Sequence, residues 1–185
     1  MISKNGNEQR RESSRQTANH FRLAFFLLLL TCFLSLTALA QDDPPESVPP
    51  PSRVISKEER SKLEATKDIK DRTRLALELM ESRVKLAEAA LGREDFDSVH
   101  RELGGFQFLM DDALDYLNRR NNDSGLIRSN FKRYEITIRA FTPRLELIRR
   151  EVPTRYEPYI LNLLKYLRDA RTKAIEPQFG GPATT

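Results

Sequence analysis

Four segments of the chain place apolar residues at alternating spacings of three and four. This is the period of an α-helix that buries one face. A strict three-four repeat is the seam of helices that pack about 20° from antiparallel. No segment sustains the alternation of apolar and polar residues that is typical of a β-strand. The sequence therefore predicts an all-α protein.

The predicted helices cover residues 56–91, 95–120, 124–150 and 154–175. The first begins at Ser56, where Ser-Lys-Glu-Glu fits a capping box, and it stops before Gly92. The fourth begins with a second capping-box sequence at Thr154. The seam of the second helix consists of Phe96, Val99, Leu103, Phe106, Met110, Ala113 and Leu117.

Short connections between these helices predict that consecutive helices are antiparallel neighbours. The expected architecture is an up-down-up-down four-helix bundle with coiled-coil-like seams over residues 56–175. The first helix, at roughly 52 Å for a rise of 1.5 Å per residue, is longer than its partners. Its polar portion, residues 57–72, is therefore expected to project from the bundle or to pair with another chain.

The N-terminal region has the three parts of a secretory signal. A basic stretch precedes the uncharged residues 23–40, which end in Ala38, Leu39 and Ala40 before Gln41. We expect a signal peptide over residues 1–40 with cleavage between Ala40 and Gln41. The alternative is an uncleaved membrane anchor, since such a run just spans a bilayer. Both interpretations export the domain to the periplasm or the extracellular space.

The regions that flank the bundle are rich in proline or glycine. Residues 41–55 contain five prolines and are predicted to be a disordered, extended linker. Residues 176–185 are predicted to be a disordered tail. The only cysteine, Cys32, belongs to the signal segment, so cleavage would leave a domain without thiols or disulfides.

The formal net charge of +4 and the pI of about 9.3 come mostly from the signal segment. Residues 1–40 hold five basic and two acidic side chains, which leaves 26 basic and 25 acidic side chains in the rest of the chain. The exported part lacks the basic excess that nucleic-acid binding requires. We therefore expect no nucleic-acid partner.

Charge is distributed unevenly along the bundle. Residues 94–123 hold eight acidic and three basic residues, whereas residues 124–155 hold eight basic and three acidic ones. Folding the second helix back on the third places residue i opposite about residue 245 − i. This register predicts ion pairs within the hairpin, and the alternative is a pair of separate docking faces. The residues concerned are Asp111, Asp112 and Asp115 on the acidic side and Lys132 and Arg133 on the basic side.

Two features that weaken helices fall at one level of the bundle. Gly104 and Gly105 interrupt the second helix, and Pro143 interrupts or kinks the third. One interpretation is packing, in which the glycines make room for Phe141 and Tyr166. The other is a groove for a ligand or a partner helix. That groove would be lined by Arg83, Gly104, Gly105, Gln107, Pro143, Arg144 and Tyr166.

No catalytic, cofactor or metal site is predicted. His100 is the only histidine beyond the signal segment and lies beside the seam, so we interpret it as a packing residue. Nucleophilic triads need a cysteine or further histidines, and a di-iron site needs a second histidine, which residues 41–185 lack. A haem site is disfavoured because the hairpin register separates His100 from Met80 by about 10 Å and no haem-attachment motif is present. The chain also lacks a phosphate-binding glycine loop and a zinc-protease motif.

These observations favour an exported, non-catalytic helical bundle that acts through protein–protein contacts. The partner is either an unknown protein or a second copy that pairs through the first helix. The alternative function is a bundle that binds a small molecule or a metal ion at the level of Gly104 and Pro143. Membrane contact is expected only if residues 23–40 remain attached.

Overall fold

A computed structural model describes residues 47–121 and 124–179. In these residues no β-strand forms and five α-helices pack against one another, which confirms the all-α prediction. The signal segment and its cleavage residues Ala38, Ala40 and Gln41 lie outside the described residues, as do residues 41–46 and 180–185. Within the described ranges, no helix has the length and apolar character needed to cross a membrane.

The helices are α1 (Lys57–Ala65), α2 (Ile69–Leu91), α3 (Phe96–Asn118), α4 (Gly125–Glu151) and α5 (Glu157–Ile175). A short 3-10 helix, Thr154–Tyr156, precedes α5, and a second one, Glu176–Phe179, follows it. The second contacts both α4 and α5. Residues 176–179, predicted to be part of a disordered tail, are therefore helical and packed.

The predicted overlong first helix is wrong, because it is two helices. Thr66 ends α1 and Asp68 begins α2, where the Asp68 carboxylate accepts a hydrogen bond of 2.9 Å from the backbone N–H of Asp71. The break lets α1 pack against α2 instead of projecting. Leu63 is buried there, and its carbonyl accepts a hydrogen bond from the buried Arg72.

One of the two predicted capping boxes is present. The Ser56 hydroxyl accepts from the backbone N–H of Glu59 at 3.1 Å, and the Glu59 carboxylate accepts from the N–H of Ser56 at 2.7 Å. The second box, at Thr154, is wrong. There α5 begins only at Glu157, with Pro158 in its first turn, and no side chain caps it.

The core lies among the four longer helices. Helix α2 packs closely against α3, α4 packs against α5, and α2 also packs against α4. The rings of Phe106 and Phe141 meet edge to face with centroids 5.2 Å apart. The buried Tyr134 hydroxyl donates to the Met110 carbonyl at 2.9 Å, which agrees with the predicted register of α3 against α4.

Residues 47–55 form an extended segment against the bundle, which we call the strap. The Val48 N–H donates to the Arg155 carbonyl at 3.0 Å, and Val48 and Ile55 pack on the core. The predicted disorder of the linker is therefore wrong for these residues. Their backbone hydrogen-bonds to His100 on α3 and to Arg155 just before α5, and no local pattern predicts this pairing.

Candidate functional site

The strap crosses α3 at its two glycines. A Cβ atom at Gly104 would lie 2.6 Å from the Ser52 carbonyl oxygen and 3.0 Å from the Pro51 Cβ. At Gly105 it would lie 3.3 Å from both the Val54 oxygen and the Arg83 guanidinium carbon. The pair thus makes room for the strap, and the prediction that it makes room for Phe141 and Tyr166 is wrong.

His100 of α3 forms a hydrogen bond with the strap. Its Nε2 lies 2.8 Å from the Pro49 carbonyl oxygen, and since a carbonyl only accepts, Nε2 carries the proton. The ring packs edge-on against Tyr156 and Tyr159, with centroids 5.5 and 4.8 Å away. Nδ1 is buried and makes no hydrogen bond. His100 is a packing residue, as predicted, but it also binds a segment 51 positions earlier in the chain.

Three tyrosines at and after the start of α5 donate hydrogen bonds to α3. The hydroxyl of Tyr156 reaches the Asp97 carboxylate at 2.5 Å, and that of Tyr159 reaches the Gln107 side-chain oxygen at 3.1 Å. Tyr166 donates the third hydrogen bond. Together these contacts define a groove between α3 and α5 with an aromatic wall, and the strap lies over it.

Asp111 and Tyr166 form the end of this groove nearest to Arg53. The Tyr166 hydroxyl donates to Asp111 at 2.6 Å, and burial together with this hydrogen bond raises the pKa of Tyr166 to about 12. Burial also raises the pKa of Asp111, although Tyr166 and Arg53 act in the opposite direction. Arg53 lies 3.5 Å from Asp111 and its guanidinium carbon lies 5.8 Å from the centre of the Tyr166 ring.

The predicted ion pairs across the α3–α4 hairpin are wrong. Asp111 pairs with the strap, and Asp112 pairs with Arg72 of α2 at 2.8 Å, because these side chains face α5 and α2 instead of α4. Asp115 is exposed. On α4, Lys132 and Arg133 are also exposed, and Arg133 donates to the neighbouring Asn130 side chain at 3.4 Å.

Arg83 of α2 forms ion pairs with α1 and α3 beside the strap. Its guanidinium donates to Glu102 of α3 at 2.7 Å and pairs with Glu59 of α1. Burial opposes the charge on Glu59, but hydrogen bonds from Ser56 and Arg83 outweigh it and lower the pKa of Glu59. Arg83 is therefore held in ion pairs beside Gly105 and does not line the groove, where the sequence predicted an open lining.

Pro143 and Arg144 do not belong to the groove. Helix α4 continues through Pro143 from Gly125 to Glu151, so the predicted interruption is absent. Arg144 donates to Glu88 at 2.6 Å and to Glu81 at 2.7 Å, which ties α4 to α2. The predicted groove lining thus divides into two groups. The residues that lie at the strap or beside it are Arg83, Gly104, Gly105, Gln107 and Tyr166.

Pro143 belongs instead to an exposed stripe on α4. Ile136 is 47% exposed and Leu147 is 55% exposed, and the two lie on the same side of the helix as the exposed Ala140 and Pro143. Their spacings of four, three and four form one stripe, roughly 16 Å long, opposite the buried seam. We call these four residues the outer face. Exposed basic residues lie along both of its sides: Lys132, Arg133, Arg139 and Arg150.

In the part of the chain that the structure describes, no group of three or more histidine, cysteine or acidic side chains is placed to hold a metal ion. Comparison with known protein families, curated proteins and solved structures found no match.

Proposed function

We propose that this chain is an exported, non-catalytic helical bundle whose outer face on α4 binds a protein partner. The observation that carries the proposal is the apolar stripe of Ile136, Ala140, Pro143 and Leu147 inside a basic border. An apolar centre with a polar rim is the usual composition of a protein interface. A helix presenting residues at these spacings is suited to pairing with another amphipathic helix.

The partner's contact surface is an amphipathic helix with acidic flanks. Helix α4 contains seven basic and three acidic residues. Lys132, Arg133 and Arg150 are exposed beside the stripe, where acidic side chains of a partner would complement them. A second copy would bring the same basic residues against them in a symmetric contact, which is unfavourable. Charge thus favours a different protein over self-association.

Pairing between copies through α1 is poorly supported. Leu63 is buried and Glu59 is engaged by Arg83, so the apolar side chain and this acidic side chain of α1 already contact their own chain. The small-molecule alternative also loses support, because the strap covers Gly104 and Pro143 lies elsewhere.

We also propose where the domain resides and how its helices are arranged. Residues 1–40 act as a signal peptide that is cut after Ala40, or residues 23–40 stay as an anchor with the domain outside. We infer that the four longer helices run up-down-up-down, which their short connections favour, with α1 packed against α2. Nucleic acid is not a partner, because the net basic charge lies mostly in the signal segment.

Photo-crosslinking in the native host tests the interface. A photoreactive amino acid replaces the exposed Ala140 on the outer face, and in a matched control it replaces the exposed Lys165 on α5. We expect a protein to be captured from position 140 and not from position 165. Sequencing the N-terminus of the same purified material decides between cleavage after Ala40 and an uncleaved anchor.

Two double variants make the result specific. Ile136→Asp with Leu147→Asp places carboxylates on the stripe and abolishes capture from position 140. Leu161→Asp with Leu126→Asp changes leucines that are 47% and 51% exposed elsewhere, and it leaves capture unchanged. The proposal is wrong if both double variants behave alike, or if the captured protein binds equally well at high ionic strength.

A further inference from the structure

The strap is recognised at three points, and all three contact its backbone or its arginine. His100 donates to the Pro49 carbonyl, Gly104 admits the backbone of Ser52, and Arg53 reaches Asp111. The first two contacts recognise the path of an extended chain. The third recognises a cation, which is held by the carboxylate and by the face of the Tyr166 ring.

The strap lies on the surface of the groove and is only partly enclosed by it. Pro49, Pro50 and Ser52 are exposed, and Val54 is 57% exposed. Segments with few buried apolar contacts and exposed backbone open at a much lower free energy than the core. This exposure favours an opening of the strap while the helices stay folded, although Val48 and Ile55 pack on the core.

The strap also leaves space beneath it. A cavity of about 300 Å³ lies between the strap and α5. The side chains around this cavity that face the strap include aromatic, amide and apolar groups. They are Gln107, Tyr159, Asn162, Leu163 and Tyr166. A peptide with bulkier side chains than Val48 and Pro50 would fill this cavity and gain the buried area that the strap lacks.

We propose that the groove between α3 and α5 is a binding site for an extended, proline-rich peptide that carries an arginine, and that the strap is its resident occupant. A partner's peptide of this chemistry binds by displacing the strap. Proline-rich segments suit such a role because their extended conformation is already formed and costs little entropy on binding. This site is separate from the outer face and does not depend on it.

Competition between a free peptide and the strap tests the proposal on the whole chain. The probe is a fluorescent peptide with the sequence of residues 45–56. The protein is the whole chain, purified after expression, with Pro51→Gly and Arg53→Glu, two changes at solvent-accessible strap positions that leave the groove intact. Since the resident strap reduces the fraction of open grooves, we expect this variant to bind the peptide at least about tenfold more tightly than the unaltered chain.

Two controls connect binding to the groove. Adding Gly104→Ala to the strap variant places a methyl group where the peptide backbone must lie, and it abolishes binding. A Gly125→Ala change, at a position with no neighbouring atom within 4 Å, leaves binding unchanged. A probe with Arg53→Glu binds at least about tenfold more weakly than the unaltered probe.

Three outcomes overturn the proposal. The first is equal peptide affinity of the strap variant and the unaltered chain, and the second is unchanged binding after Gly104→Ala. The third is a doubled mass in sedimentation without peptide binding, which would assign the groove to the strap of a second copy. If the strap variant fails to fold, excess peptide is added to the unaltered chain. Faster hydrogen exchange at the Val48 N–H then supports displacement, and an unchanged rate contradicts it.

Discussion

Asp111 makes contacts in the groove, yet burial of its carboxyl reduces the stability of the folded chain as the pH rises. It accepts a hydrogen bond from Tyr166 and lies near Arg53, yet burial raises its pKa above the ordinary 3.8. The folded chain therefore keeps this proton at pH values where the unfolded chain has released it. By linkage, this carboxyl lowers the free energy of unfolding as the pH rises from 3.8 through its folded pKa.

Replacing Asp111 by asparagine removes this pH dependence. The amide oxygen can still accept from the Tyr166 hydroxyl, while the charge that burial disfavours is gone. We expect the stability of Asp111→Asn relative to the unaltered chain to increase as the pH rises from below 3.8 to neutrality. Urea unfolding of both proteins over this range measures the difference. A difference that stays constant or falls with pH contradicts the assignment.

At the scale of elements, the strained residue of the turn between α2 and α3 is Glu94 and not the glycine at position 92. Gly92 ends α2, as the sequence predicts, but its φ of −62° is right-handed. Glu94 has a φ of 57°, in the left-handed region that costs a residue with a Cβ about 1–2 kcal/mol. The turn is closed by hydrogen bonds from the N–H groups of Glu94 and Asp95 to the end of α2. Gly92 therefore predicted the turn correctly, but the left-handed residue lies two positions later, at Glu94.

A single substitution at each of these two positions tests this assignment. Glu94→Gly relieves the left-handed strain and, after the entropy cost of glycine, is expected to raise the free energy of unfolding by about 0.5–1 kcal/mol. Gly92→Ala is expected to be neutral or slightly stabilising, because its Cβ would meet only backbone oxygens at 3.8 and 3.9 Å. Thermal and chemical unfolding measure both changes. A destabilised Gly92→Ala variant would show that the glycine matters for another reason.

The sequence predicts the elements much better than it predicts their contacts. The seams of α3 and α4 give helix ends within two residues of those observed, because periodic burial is a local signal. The break between α1 and α2 was missed, since Thr66 and Asp68 cap their helices without proline or glycine. The strap was missed because its partner His100 is 51 residues away and an extended chain has no periodicity to reveal the pairing.

At the scale of the whole molecule, the described chain presents two surfaces of different character. The outer face of α4 is apolar with basic residues along its sides, and its residues are exposed by the same helical period that buries the opposite seam. The groove between α3 and α5 depends on glycines, aromatic rings and one histidine, and it is covered by the chain's own strap. Since no described contact joins the strap to the outer face, we expect a change at one surface to leave binding at the other unchanged.

The strap lies on the surface and the helix seams are fully buried, so we expect the strap to open at a lower free energy than the helices. The amide of Val48, bonded to the Arg155 carbonyl, is protected only while the strap is docked. The amide of Ile138, in the fully buried seam of α4, is protected until the helices separate. We expect Val48 to exchange through a local opening that depends little on denaturant, and Ile138 through an opening that approaches the global free energy of unfolding. Native-state hydrogen exchange at increasing urea concentrations measures both. Equal protection and equal urea dependence at the two sites would make the strap an integral part of the core, and the groove would then have no exchangeable occupant.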